Sequence, residues 1–167
     1  QTLMIRADIA MNEAKQRQRG SVGWFDAAMG QRQYRQRLLQ TRLAQAIQDR
    51  AVEIHYQPEV DLRTGAVVGF EALARWADPE LGVVRPSEFV AMAEEAHLID
   101  ALSQHVVQVV MRDKASLQAR FPGARVAVNV SPSAFLGGRL LKFLGDQLDA
   151  GEAALEGLEV ELTESHI

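Results

Sequence analysis

Two strand-like runs held three residues apart constrain this chain most. Residues 52–62 (VEIHYQPEVDL) and 66–76 (AVVGFEALARW) flank the tripeptide RTG. So short a turn joins neighbouring strands only when they run antiparallel. After this hairpin the pattern changes to helix, strand, helix, strand. Pro86 suits the first turn of a helix reaching about Ala96, and a longer helix follows with Ile99, Leu102, Val106, Val109 and Val110 on its inner stripe. FPGA (121–124) stops that helix; RVAVNVS (125–131) reads as a strand, GRLLKFLGDQLDA (138–150) as a helix and LEVELTES (158–165) as a strand. Strands alternating with helices pair in parallel. The expected fold is α/β, with a first strand running against the rest. ADPELGVVR (77–85) reads as a loop.

Upstream, residues 3–15 read as a helix with Ala7, Ala10, Met11 and Ala14 on one face, ended by Gly20 and followed by the short apolar SVGWF (21–25). Asp26 is placed to cap a long second helix whose apolar stripe is Tyr34, Leu38, Leu39, Leu43, Ala46 and Ile47. Arg32, Arg35, Arg37, Arg42 and Arg50 lie in or just beyond it. With a net charge of −4 and no interleaved aromatics, they form a solvated face, and no DNA or RNA duplex is expected as partner. A bound anion therefore needs a local cation. The chain has no cysteine, which removes thiolate metal sites and disulfides and fits a reducing compartment. No apolar run has the length of a membrane span, and the charged, amphipathic start differs from a signal peptide, so no direct membrane contact is expected of this segment. Its first residue is Gln, consistent with a piece of a longer or processed chain.

The strand ends carry the chemistry. Strand side chains alternate, so Glu71, Leu73 and Arg75 share one face, Ala127, Asn129 and Ser131 share another, and Glu161 lies with Thr163. Three strands thus each bring one oxygen-bearing side chain, Glu71, Asn129 and Glu161, near a carboxyl end, where parallel α/β sheets place their sites. Two carboxylates and an amide, with no His or Cys, suit a hard cation such as Mg²⁺ or Mn²⁺, and Arg75 beside them suits a phosphate. Taken singly, each has a plainer reading. Glu71 and Arg75 form an internal ion pair, Asn129 satisfies backbone in a turn, and Glu161 faces solvent.

The segments YQPEVDLRTGAVVGFEALARW, PSEFVAMAEEAHLI, AVNVSPSAF and LEVELTES resemble, in order and spacing, the EAL-domain family, with the likeness running through residues 52–167. That family consists of bacterial phosphodiesterases that open cyclic di-GMP to linear pGpG, built on a modified TIM barrel with an antiparallel first strand. Residues 4–26 resemble more briefly the last helix and strand of a GGDEF domain, with Asn12 where that family often has Tyr. The implied organisation is a GGDEF remnant over 1–26, a linker helix over 27–51 and the N-terminal half of an EAL domain over 52–167. The resemblance implies Glu71, Asn129 and Glu161 as ligands of Mg²⁺ or Mn²⁺, with Glu71 and Glu161 catalytic. It implies Gln57, Leu73, Arg75 and Asn129 as contacts of cyclic di-GMP, with Arg75 at a phosphate and Leu73 lining the pocket. Glu94 would support the ligands from behind, and Thr163 and Glu164 continue their strand's motif. It further implies a homodimer through the EAL domain, a bacterial cytoplasmic location, and a parent protein tethered to a membrane, if at all, through an upstream region. His97 stands where the family usually has Gly, which puts local backbone geometry in question. A closed barrel takes about 250 residues; the family's paired aspartates, catalytic lysine and later glutamate would follow Ile167, leaving half a site here and residues 1–167 alone inactive. Three functions are compatible: a metal-dependent phosphodiesterase, a degenerate domain that senses cyclic di-GMP, or a signalling and dimerisation relay.

Overall fold

The computed structural model describes residues 2–17, 22–151 and 155–162, and divides into two compact units, Gln1–Arg42 and Leu43–Ile167. In the first unit, α1 (Thr2–Arg17) is followed by α2 (Ala27–Gln48), whose residues from Leu43 on belong to the second unit. Asp26 caps α2 as expected: its Oδ1 accepts from the Ala28 amide at 2.7 Å. Gly23 lies against the Ala10 carbonyl, where a Cβ would sit 2.7 Å from the oxygen, and the Arg6 guanidinium stacks over Phe25 at 5.3 Å. Tyr34, assigned to the apolar stripe of α2, is exposed, whereas Leu39, Leu43 and Ala46 are buried. Gly20, Thr163 and Glu164 lie outside the described residues.

The second unit is built on a mixed sheet. β1 (Glu53–Val60) pairs antiparallel with β2 (Val67–Asp78); β4 (Arg125–Val130) and β5 (Leu158–Leu162) follow in parallel, giving the order β1-β2-β4-β5. The antiparallel first strand and the parallel remainder are those read from the sequence. The turn between β1 and β2 spans residues 61–66, because Asp61 organises it: its Oδ1 accepts from the Arg63 and Thr64 amides, and Gly65 takes φ +72°.

Alternation decides which face is covered. Phe70, Ala72 and Trp76 on β2, with Val126, Val128 and Val130 on β4, are buried. They lie beneath α3 (Pro86–Glu95) and α4 (Ile99–Arg120). Phe89 of α3 meets Trp76 edge-on at 6.1 Å, and Phe121, just past α4, meets Phe70 edge-on at 5.2 Å. Phe89 is fully buried, so its truncation to Ala would cost about 3–5 kcal/mol. On α4 the fully buried residues are Val107 and Val110, while Val109, placed on the inner stripe by periodicity, is only half-buried.

Residues 77–85 depart from the expected loop. β2 continues to Asp78 and folds back into β3 (Gly82–Val84), with Trp76 paired to Val84 and Asp78 to Gly82. Asp78 Oδ1 accepts from the Glu80 and Leu81 amides, and Gly82 adopts φ +72°. This hairpin exists because Trp76 and Val84 are both buried, drawing both strands onto the core. α5 (Pro132–Leu136) also lay unnoticed between β4 and α6 (Arg139–Ala150). Its N-cap is Ser131, whose Oγ accepts from the Ala134 amide.

Candidate functional site

The opposite face of the sheet gathers the chemistry-bearing residues. Gln57 is the register partner of Glu71, and Asn129 that of Glu161. Glu71 lies opposite Ala127, one pair before the β2–β4 ladder ends at Ala72 and Val128. Asn129 Nδ2 donates to Glu71 Oε1 at 2.5 Å, joining the two neighbouring strands by their side chains. Gln57, Asn129 and Glu161 are exposed on this face and Glu71 is half-buried. The turn-satisfying reading of Asn129 therefore does not describe its amide, which is spent on a carboxylate.

Glu71 and Arg75 form no ion pair. Arg75 Nη1 instead donates to the Ala74 carbonyl at 2.9 Å, and Arg75 lines a cavity of about 330 Å³. Leu73, Arg75, Asn129 and Ser131 line this cavity from the strand ends, and Val90 and Leu102 line it from α3 and α4. It opens where β2 leaves β4 to pair with β3. An apolar wall with a cationic and an amide residue among its lining suits a flat, partly polar ligand bearing an anionic group. Ser87 and Ser103 also line it; neither stood out in the sequence, since isolated serines on helices carry no spacing signal. Glu94, half-buried on α3, neither lines the cavity nor bonds to Glu71, Asn129 or Arg75.

Among the described residues, no three His, Cys, Asp or Glu side chains converge. Glu71, Glu161 and Asn129 offer two carboxylates and one amide, all hard oxygen ligands. With Nδ2 of Asn129 turned to Glu71, the amide oxygen and the second oxygen of Glu71 remain for an ion, a donor set that fits Mg²⁺ or Mn²⁺.

Other contacts hold the site's frame. On the covered face of β1, the Tyr56 hydroxyl donates to Asp113 Oδ2 of α4 at 3.0 Å, while Asp113 Oδ1 accepts from Arg112 Nε at 2.9 Å. Burial first, and then the Asp113 carboxylate, push the Tyr56 phenol above its ordinary pKa. A second cavity, about 470 Å³, lies between β1 and α4 with Arg50, Glu53, His105 and Arg112 among its lining, and includes none of Glu71, Arg75, Asn129 or Glu161.

Residues 40–167 match the EAL domain family. Over 152 residues the chain is 40% identical to the cyclic di-GMP phosphodiesterase PA2567 of Pseudomonas aeruginosa, covering 89% of this chain and 26% of that protein. It is 37% identical over 165 residues to the cyclic di-GMP phosphodiesterase PdeR of Escherichia coli, covering 98% of this chain and 25% of the relative. The chain thus spans about a quarter of the length of these curated relatives. Among solved structures it is similar to the PaMucR phosphodiesterase in complex with c-di-GMP, with a TM-score of 0.68 and 31% identity over 77% of this chain and 52% of that one. The four motifs, the reversed first strand and these matches agree: the chain belongs to the EAL-domain family.

Proposed function

We propose that this chain supplies part of the active site of a metal-dependent phosphodiesterase that opens cyclic di-GMP to the linear dinucleotide. The observation carrying this reading is the Asn129–Glu71 hydrogen bond, with Glu161 in register beside it and Arg75 lining an adjoining cavity. In this reading Glu71, Asn129 and Glu161 hold Mg²⁺ or Mn²⁺. The bound ion supplies charge stabilisation and a water of lowered pKa. Asn129 orients the Glu71 carboxylate by donating to it. Arg75 offers its fork to a phosphate, Leu73 supports the nucleotide against the cavity wall, and Gln57 reaches it from the reversed strand.

The wider organisation belongs to the same proposal: residues 1–26 as the end of a GGDEF domain, 27–51 as a linker helix, 52–167 as EAL domain, and a homodimer formed through that domain. Relatives several times longer than this chain support a multidomain parent. No described helix is long and apolar enough to cross a membrane.

The test is hydrolysis by the full-length protein. With Mn²⁺ and cyclic di-GMP, chromatography should show the linear product, and Glu71→Gln should remove it. Nucleotide binding without product under any divalent cation would instead identify a receptor.

A further inference from the structure

Helix α4 sends polar side chains to backbone carbonyls at the ends of three strands. His105 Nε2 hydrogen-bonds the Val52 carbonyl at 2.8 Å, just ahead of β1. Gln118 Nε2 donates to the Ala124 carbonyl at 3.3 Å, just ahead of β4. Lys114 Nζ donates to the Glu156 carbonyl at 2.5 Å, two residues ahead of β5. His105 and Lys114 are each only 5% exposed. Lysine is rarely so buried without partners, because its polar head loses water. An apolar side chain of the same length would fill this space at less cost, so packing alone does not account for a lysine.

The segment that Lys114 grips is closely confined. Gly157 adopts φ +73°, which favours glycine, and it lies against the Gln118 side-chain amide. The Gly157 carbonyl accepts from the Val126 amide at 2.8 Å, beginning the β4–β5 pairing that ends with Asn129 beside Glu161 and Val130 beside Leu162. Glu161 lies only five positions after Glu156. A one-residue slip of β5 would turn Glu161 to the other face of the sheet.

We propose that Lys114 is a positioning residue for Glu161: by holding the Glu156 carbonyl, it fixes the axial position of β5 and so the place of the Glu161 carboxylate beside Asn129. The inference rests on the reading of Glu161 as a metal ligand. Lys114 touches neither substrate nor ion; it acts through the backbone leading into β5.

The experiment measures Mn²⁺ binding to the full-length protein without nucleotide, by electron paramagnetic resonance titration, beside a melting curve. The variants are Lys114→Met, Glu161→Gln, the two combined, and Val107→Ala as a core change on the same helix. Lys114→Met should weaken Mn²⁺ binding about tenfold, the lower end of the loss expected for a supporting partner of a metal ligand. Val107→Ala should lower the melting temperature and leave Mn²⁺ affinity at the wild-type value. In the Glu161→Gln background, Lys114→Met should cost nothing further, because the carboxylate it positions is already gone. If Lys114→Met does not fold, Lys114→Gln, which keeps a donor on a shorter stem, is read in the same cycle. Wild-type Mn²⁺ affinity in the Lys114 variant, or a loss that adds in full to that of Glu161→Gln, overturns the inference and leaves the site reading intact. Wild-type affinity in Glu161→Gln overturns the ligand reading itself, and this inference with it.

Discussion

Asn129 and Glu71 sit on neighbouring parallel strands, and the amide of one donates to the carboxylate of the other at 2.5 Å. Two side chains 58 positions apart in sequence are thereby held as one unit before any ligand arrives. Glu71→Gln should preserve the fold, since the residue lies on the uncovered face, and remove the charge an ion would require. In the full-length protein kcat should fall by at least about 10²-fold, on the scale of losing about 3 kcal/mol of electrostatic stabilisation. Steady-state kinetics at limiting and saturating Mn²⁺ check this, and near-wild-type turnover at limiting metal would refute the ligand role.

Arg75 separates clamp from ion pair. It makes no pair with Glu71, so a charge-preserving change should leave stability nearly untouched. Lys offers a point charge where Arg offers a planar fork. Arg75→Lys should therefore weaken cyclic di-GMP binding by about 1–3 kcal/mol, the range of a charged hydrogen bond. Calorimetric titration in Ca²⁺, chosen to allow binding without turnover, would read this. Unchanged affinity with a lowered melting temperature would count against the clamp.

His97 carries a backbone cost that the sequence foresaw. It sits at φ +56° where α3 ends, and the Leu98 amide closes the helix end by reaching the Ala93 carbonyl at 2.7 Å. A non-glycine residue in this region costs roughly 1–2 kcal/mol, of which glycine returns part as unfolded-state entropy. His97→Gly should stabilise the protein by about 0.5–1 kcal/mol in urea titration. A lower midpoint would mean that the exposed imidazole makes a compensating contact.

Tyr56 gives the alkaline limb of stability. Its folded pKa is raised, by burial and then by Asp113, so its contribution is complete below the unfolded phenol pKa of about 10 and is lost as pH rises beyond it. Between about pH 10 and 11, stability should decline more steeply in the wild type than in Tyr56→Phe, which has no proton to lose there. Parallel melting curves across that interval would test it; identical slopes would mean that in solution the Tyr56 hydroxyl is neither buried nor held by Asp113.

Much of this was legible because alternation and spacing are local signals. The phase that put Glu71, Asn129 and Glu161 on one face needs only the period of a strand, and the short turn dictated the antiparallel β1. What remained hidden depends on contacts distant in sequence. The β2–β3 hairpin follows from Trp76 and Val84 seeking one core, although Asp78, Pro79 and Gly82 marked its turn. The Asn129–Glu71 bond depends on strand order, and the burial of Lys114 depends on where α4 packs, which no local pattern shows.

The reversed first strand also has an engineering consequence. Because β1 and β2 run in opposite directions, the Asp61–Ala66 turn lies at the end of the sheet remote from Arg75, and the register irregularity at Glu59 and Val60 falls at that same end. Extra length there is absorbed before the ladder reaches Gln57 and Glu71. A fluorophore or epitope inserted near Arg63 could therefore report on the protein without displacing a single site residue.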